Sequence, residues 1–307
     1  MATAAASLTP KGFANTSRLD NWRLSPYLQF IGFAAAIAYS TIAAAQGAFY
    51  KHEPYLSPFY SPTVIVDLNF WPFAGGPLSF LGPLIHPISP AFVILIFPLG
   101  FRLTCYYYRK MYYRSFFAEP RACAVGEGFG EESYSGETRF PFNLLNLHRY
   151  FMYAAMVILV ILAYDLALSF YFEHGWGVGL GTVVLAVNVV ALALFSLSCN
   201  SLRHIVGGNV DCFSCARFGQ ARYKGWKFVT YLNLKHREWA WISLATVCFA
   251  DFYVRLIAGG IPGMTFVDPV LYMDLPILLA GLAAVGGVTA ALAWKLSRSS
   301  APGAAAE

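Results

Sequence analysis

The chain has 307 residues, of which 58% are hydrophobic and only 12% are charged. A soluble domain carries about 25% charged residues, because its surface must face water. This composition, with a mean hydropathy of +0.54, excludes an ordinary soluble protein and predicts an integral membrane protein. The net charge of +5 comes from basic groups beside the predicted spans and therefore does not indicate binding to nucleic acid.

Six apolar stretches are each long enough for a helix that crosses the bilayer. They lie at 27–49, 88–108, 149–171, 178–202, 238–260 and 275–295. The sequence therefore predicts an all-α fold, a polytopic transmembrane helical bundle of five to six spans. Residues 27–298 are expected to form this domain, between a cytoplasmic segment at 1–26 and a flexible tail at 299–307. No cleavable signal peptide is expected, because the N-terminal segment lacks an apolar core.

Basic residues lie almost entirely on one side of the predicted bundle. They cluster before the first span, within 109–149, within 203–237 and after the last span, whereas the opposite loops hold little besides Lys51. This asymmetry predicts a multi-pass protein of the inner (plasma) membrane with both termini in the cytoplasm. The six cysteines are not expected to form disulfides, because most of them lie at this reducing face. No internal repeat is evident.

Four predicted helices carry a cysteine or a histidine at their cytoplasmic ends. Cys105 ends the second span, Cys199 and His204 end the fourth, and His148 and His236 begin the third and fifth. Thiolate ligands favour zinc, copper(I) or iron–sulfur clusters. A Rieske-type cluster uses two cysteines and two histidines, whereas two facing histidines suit haem b. Each residue alone is equally compatible with a buried apolar thiol or an interfacial imidazole.

Three charged residues lie within predicted spans. Asp251 and Arg255 are four residues apart and so share one helix face, while Asp165 lies at a similar depth in the third span. Charges inside a span indicate proton or ion relays by default, and a mutually satisfied buried cluster is the competing interpretation. A proton- or ion-coupled secondary transporter built on these residues is therefore one functional hypothesis.

Aromatic side chains are dense near the predicted inner face, where an interfacial belt explains most of them. A quinone site also needs aromatic walls, together with hydrogen-bond donors for its carbonyl oxygens. The candidate donors are Ser198, Arg203, Tyr108 and Trp239. Walker, HExxH, GxSxG and Rossmann motifs are all absent, so the chemistry expected is redox or transport chemistry inside the bundle.

Long and unusual motifs occur between residues 27 and 258, namely FPLGFRLTCYYYRKMYYRSFF, GETRFP, NLHRYF, SCNSLRHIVGG and LNLKHREWAWISL. They resemble the membrane-anchor (cytochrome b-type) subunit of actinobacterial succinate dehydrogenase, respiratory complex II, as in the mycobacterial three-subunit enzyme. The resemblance implies a subunit that does not oxidise succinate itself. It would dock a flavoprotein and an iron–sulfur subunit and pass electrons to menaquinone or ubiquinone in the membrane.

The resemblance also implies a Rieske-type [2Fe–2S] cluster near the cytoplasmic end, in place of haem b. His148 and His236 would supply the imidazole ligands, and Cys105 and Cys199 the thiolates. His204 is the alternate ligand, or a hydrogen-bond donor beside the quinone. The alternative within the same complex is a single haem b at the inner face, held by His148 and either His204 or His236.

The chain departs from the family pattern in three places. The stretch 275–295 adds a sixth span, and Asn200 and Leu202 stand where relatives carry a cysteine or histidine. Cys212 and Cys215 form an unfamiliar C-x-x-C after the fourth span. Because a zinc site needs four ligands, two free thiols are the expected state of this pair.

Overall fold

A computed structural model describes residues 24–62, 89–112, 142–264 and 266–299, besides isolated residues at 21, 138 and 140; side chains of the last helix are described to residue 287. Predictions that fall on 63–88 and 113–137 lie outside the described residues. The helices are α1 (Leu24–Gln46), α2 (Pro90–Leu103), α3 (Tyr106–Tyr112), α4 (His148–Leu168), α5 (Leu180–Leu197), α6 (Asn200–Arg203), α7 (Gly219–Asn233), α8 (His236–Ile257) and α9 (Leu275–Ser299).

Four of these helices, α1, α4, α5 and α8, are long and apolar enough to cross a membrane. The bent pair α2–α3 passes the same test as one broken span, and the described apolar part of α9, Leu275–Gly287, is shorter. These helices overlap the six predicted stretches, so the prediction of an all-α membrane bundle is confirmed. The bundle packs mainly through α5 against α8 and through α4 against both α2 and α5.

The second predicted span is divided into two helices in the structure. α2 and α3 meet at an angle of 77°. The Thr104 hydroxyl donates to the carbonyl oxygen of Gly100 at 2.7 Å, and the Thr104 backbone N–H donates to the same oxygen at 3.0 Å. A threonine that bonds to the backbone in this way competes with helix continuation. The break buries Cys105 in the bundle, where it is 3% exposed.

The basic segment 203–235, predicted as a loop, is largely helical. It contains the π-helix His204–Gly208 and then α7. Arg222 on α7 connects this helix to the π-helix, because its guanidinium donates to the backbone carbonyls of Ile205 and Val206 at 3.3 and 3.0 Å. The prediction failed here because α7 is a polar surface helix, whose signal is weaker than that of an apolar span.

The Cys212–Cys215 pair forms a disulfide, so the prediction of two free thiols was wrong. The turn between the two cysteines brings their Cα atoms to 5.3 Å, which lies in the range that a disulfide bridges. The Cys215 backbone N–H also donates to Cys212 Sγ at 3.2 Å. The prediction relied on the reducing compartment alone and took no account of this local geometry.

Short strands close one end of the bundle. β1 (Lys51–His52) pairs with β2 (Tyr55–Leu56), and a second sheet has the order β3 (Tyr171–Phe172), β4 (Gly175–Gly179), β5 (Val270–Tyr272). The buried Tyr55 hydroxyl donates to Asp268 at 2.6 Å. Burial raises the pKa of Tyr55, and the hydrogen bond to this carboxylate raises it further. A Cβ atom at Gly181 would lie 2.6 Å from the Tyr55 ring, so this position requires glycine.

Two of the three intramembrane charges, Asp251 and Arg255, form a closed network near the same end, whereas Asp165 accepts a separate hydrogen bond from Ser61. Asp251 and Arg255 make an ion pair of 2.8 Å, as their spacing predicted, with side chains 0% and 7% exposed. Asp251 also accepts hydrogen bonds from Tyr39 and Ser57. Arg255 donates to the carbonyl oxygens of Ala43 and Ala48 and to the Gln46 side chain, each at 2.8 Å. Asp251 and Arg255 both have hydrogen-bonding partners within this network. Their contacts therefore indicate a structural role and give no support to the transporter hypothesis.

Asp251→Ala is expected to destabilise the protein by about 3–5 kcal/mol, because it leaves the Arg255 charge buried without its partner. The double variant Asp251→Ala/Arg255→Met should recover much of this loss. Thermal unfolding of the detergent-solubilised protein measures both effects. If Asp251 instead relayed a proton or an ion, Asp251→Ala would lower the transport or electron-transfer rate and leave the unfolding temperature unchanged. That result would contradict a structural role.

Candidate metal centre

Two cysteine–histidine pairs meet at the end of the bundle opposite the short strands. Nε2 of His148 lies 3.3 Å from Sγ of Cys199, and Nε2 of His236 lies 3.5 Å from Sγ of Cys105. The two thiols are 2% and 3% exposed. The first pair joins the start of α4 to the end of α5, and the second joins the start of α8 to the break after α2. We refer to these four residues as the Cys/His centre.

Each imidazole contacts a hydroxyl through Nδ1 and a thiol through Nε2. Nδ1 of His148 lies 3.0 Å from the Thr104 hydroxyl, which is also 2.7 Å from the carbonyl oxygen of Gly100. Nδ1 of His236 lies 2.7 Å from the Ser198 hydroxyl, which is also 2.9 Å from the carbonyl oxygen of Phe195. A hydroxyl that donates to its carbonyl can only accept from the imidazole, which favours the tautomer with the proton on Nδ1. In that tautomer both Nε2 atoms have a free lone pair facing a thiol, as a metal-binding imidazole requires.

The two halves of the centre share a sequence element. FRLTC at 101–105 and FSLSC at 195–199 place a phenylalanine, a hydroxyl residue and a cysteine at the same spacing. Phe101 stacks on His148 with ring centroids 4.9 Å apart, and Phe195 stacks on His236 at 5.1 Å. Sequence analysis found no internal repeat, yet this five-residue match was a signal that could have linked the two halves.

The Cys/His centre contains the ligand types of a Rieske-type [2Fe–2S] cluster, which are two thiols and two imidazoles. In such a cluster the two histidines bind one iron and the two cysteines bind the other. The structure instead places each histidine beside one cysteine. Within the described part of the chain, no group of three or more His, Cys, Asp or Glu side chains converges to hold one metal ion.

Two of the predicted site residues lie apart from the Cys/His centre. His204 is exposed, and its Nδ1 lies 3.3 Å from the Arg149 guanidinium. Arg203 donates through Nε to Thr230 at 2.9 Å, and its guanidinium lies 5.1 Å from the centre of the Trp226 ring. The structure therefore does not bring either residue to the two cysteine–histidine pairs.

The other predicted quinone donors lie beside the centre, but two of them already have partners. Ser198 anchors His236 as described above. The Tyr108 hydroxyl donates to the carbonyl oxygen of Ala240 at 2.8 Å and accepts from Arg102 at 2.8 Å. Trp239 differs, because its buried indole N–H has no acceptor among the described residues. It is the predicted donor that remains available to a ligand.

Arg102 is the functional candidate that sequence reasoning missed. It is 5% exposed inside the bundle. Its guanidinium donates to Tyr108, to the carbonyl oxygen of Ala240 at 3.0 Å and to Ser243 at 2.9 Å. No carboxylate pairs with it in the ranges that the structure covers. An arginine in an apolar stretch was the available signal, since buried charges in spans are costly and mark function.

The fold and the site define a polytopic helical membrane protein with a buried cysteine–histidine centre at one end of its bundle. The chain belongs to the family of the actinobacterial succinate dehydrogenase subunit SdhC, whose model matches residues 24–260. This membership confirms the resemblance found in the sequence motifs.

Comparison with solved structures supports the same family. The chain is similar to a chain of the Mycobacterium smegmatis Sdh1 complex in the apo form, with 40% sequence identity and a TM-score of 0.70. The match covers 88% of this chain and 100% of that chain. A search of the curated proteins finds no match.

Proposed function

We propose that this protein is the membrane-anchor subunit of a succinate dehydrogenase or fumarate reductase complex. It docks a flavoprotein and an iron–sulfur subunit and passes electrons to membrane quinone, menaquinone or ubiquinone. Membership in the SdhC family and the buried Cys/His centre support this function. Succinate oxidation itself belongs to the flavoprotein, because the chain carries no nucleotide-binding motif for a flavin.

The basic residues favour docking of both soluble subunits at the inner face. Arg222, Lys224 and Lys227 on α7 lie near the end of the bundle that holds the centre. Positive-inside asymmetry puts this end, and both termini, in the cytoplasm. A tag fused to the C-terminus should then be cleaved by protease only in inverted membrane vesicles; cleavage in right-side-out vesicles alone would reverse the orientation.

The Cys/His centre is proposed to hold a Rieske-type [2Fe–2S] cluster through Cys105, Cys199, His148 and His236. Such a cluster, when bound, takes up and releases one electron at a time. The observation that carries this proposal is that Nε2 of each imidazole faces a thiol while its Nδ1 contacts a hydroxyl. The residues around the centre hold the ligands in orientation, and their burial keeps water away from it.

Cys199→Ala is expected to remove about two iron atoms and two labile sulfides from the purified complex, because one thiolate of the centre is lost. Chemical analysis of iron and sulfide in the wild-type and variant complexes measures the difference. Cys248→Ala is the matched control, since this free cysteine lies on α8 outside the centre. Equal iron and sulfide contents in the wild type and the Cys199 variant would refute the cluster.

The second candidate is a single haem b, favoured by the two half-buried histidines that begin helices α4 and α8. The reduced-minus-oxidised optical spectrum separates the two candidates. Sharp haem bands that vanish in His148→Ala would establish the haem, whereas a broad bleaching without such bands would support the cluster.

A further inference from the structure

The Cys212–Cys215 disulfide lies on the face of the bundle that the basic residues place in the cytoplasm. Disulfides are rare in that compartment, and those that occur there usually take part in redox sensing or catalysis. Cys215 is exposed and Cys212 is half-buried, so molecules in solution can reach the pair. The proposed electron transfer to quinone does not use these cysteines. The pair therefore has the location and exposure of a reactive disulfide and not of a buried structural one.

The surroundings of the pair favour attack on Cys215 and departure of Cys212. The Cys215 backbone N–H donates to Cys212 Sγ at 3.2 Å, and the Ser214 hydroxyl lies 3.3 Å from the same sulfur atom. Both groups can donate to a thiolate on Cys212 when it leaves. The segment 203–237 carries seven basic residues against the single acidic residue Asp211, and nearby cations also stabilise a thiolate.

Phe213, which lies between the two cysteines, connects the disulfide to α7 and to the π-helix. Its ring packs edge-on against Tyr223, with ring centroids 5.3 Å apart, and its centroid lies 6.2 Å from that of Trp226. A Cβ atom at Gly207 of the π-helix would lie 3.1 Å from the same ring, so ring and π-helix are in close contact. The disulfide holds the backbone on both sides of Phe213 and thereby keeps this ring in place.

Helix α7 in turn holds the segment that begins at Ser198 and Cys199. The Arg203 guanidinium lies 5.1 Å from the centre of the Trp226 ring on α7. The Arg203 backbone N–H donates to the carbonyl oxygen of Cys199 at 3.0 Å. The Asn233 side chain, at the end of α7, donates to the carbonyl oxygen of Ser198 at 2.7 Å. A continuous series of contacts therefore joins the disulfide to the end of the bundle that holds the Cys/His centre.

We infer that Cys212–Cys215 is a thiol–disulfide exchange site for a cytoplasmic dithiol, and that its reduction frees Phe213 and loosens α7. A thiolate of the dithiol attacks Cys215 Sγ, the bond between the two protein sulfur atoms breaks, and Cys212 leaves as a thiolate. The second thiol of the dithiol then displaces Cys215, so the dithiol becomes a disulfide and the protein gains two thiols. Two electrons and two protons pass to the protein. The inference rests on the orientation proposed above, which the C-terminal tag tests without involving any cysteine.

Sealed membrane vesicles test the exchange with reduced thioredoxin, a dithiol protein that does not cross the bilayer. It should reduce the pair in inverted vesicles, and a thioredoxin that lacks its second active-site cysteine should stay attached to Cys215 as a mixed disulfide. Mass spectrometry of the alkylated subunit measures both products. Cys248 is the internal control, because it is already a free thiol and should not change. A pair that stays oxidised in inverted vesicles, or a mixed disulfide mainly on Cys212, would overturn the inference.

Hydrogen exchange of the purified complex tests the loosening of α7. Its backbone amides should exchange about tenfold faster after reduction with dithiothreitol, since loss of a disulfide lowers local stability. Phe213→Ala should give a similar increase with the disulfide intact, and dithiothreitol should then add little. Phe218→Ala is the matched control, because that side chain is 72% exposed. Equal exchange in the oxidised and the reduced wild type would contradict the inference, and this comparison decides alone if Phe213→Ala fails to assemble.

Discussion

The double variant His148→Ala/His236→Ala is expected to abolish quinone reduction while succinate oxidation with an artificial acceptor survives. Each imidazole presents Nε2 to a buried thiol, so the double change removes both nitrogen ligands at once. Substitution of a residue that merely contacts a metal ligand typically lowers metal affinity or activity 10–100-fold. Loss of two ligands should therefore leave less than about 1% of the activity. Steady-state rates of the purified complex with quinone and with the artificial acceptor measure the split.

The matched control is His174→Ala, at the outer end of the bundle between β3 and β4. It should keep both activities. His204→Ala separates the two ligand assignments, because this exposed residue contacts Arg149 and lies apart from the pairs. Normal quinone reduction in the double variant would remove the Cys/His centre from the electron path. Loss of activity in His204→Ala to the level of the double variant would make it a ligand.

Thr104→Val and Ser198→Ala should each lower quinone reduction about 10–100-fold, although neither residue is proposed as a ligand. Each hydroxyl accepts the Nδ1 proton of one imidazole, so its removal frees the ring to turn and to change tautomer. The two positions are equivalent in the repeated element, and the two losses should therefore be similar. Rates with quinone, together with the reduction potential of the centre, report the effect.

The repeated element supplies its own controls for these hydroxyl variants. Thr104→Ser and Ser198→Thr keep an accepting oxygen at the same place and should retain most of the activity. Thr246→Val removes a hydroxyl on α8 that donates to the carbonyl of Ser243, and it should have little effect. Full activity in Thr104→Val and Ser198→Ala, at unchanged potential, would show that the hydroxyls do not position the imidazoles.

Much of the candidate site followed from topology. Helix direction alone predicted that Cys105, Cys199, His148 and His236 end or begin helices at one face, and the structure brings these four together. Helix direction did not predict which cysteine would lie beside which histidine, because that pairing depends on which helices are neighbours. The bend after Leu103 was missed for a similar reason, since apolar runs carry no mark of where a span breaks.

For the charged residues, too, the sequence predicted the position of the side chains along the helix but not their partners. The spacing of Asp251 and Arg255 predicted one shared helix face, and they form the ion pair. Their satisfaction depends on Tyr39 and Ser57, which lie far away in the chain, so the sequence left the relay interpretation open. Arg102 was passed over because its contacts with Ala240 and Ser243 depend on how α2 packs against α8.

By itself, the sequence of this protein determined its environment, its helical class and its family, because apolar length, basic loops and long motifs are local properties of the chain. Only the tertiary structure decided which thiol meets which imidazole, which hydroxyl contacts each Nδ1 and which groups surround the buried Arg102. These features depend on distances of a few ångströms between helices that are distant in sequence, and such distances arise only when the side chains pack.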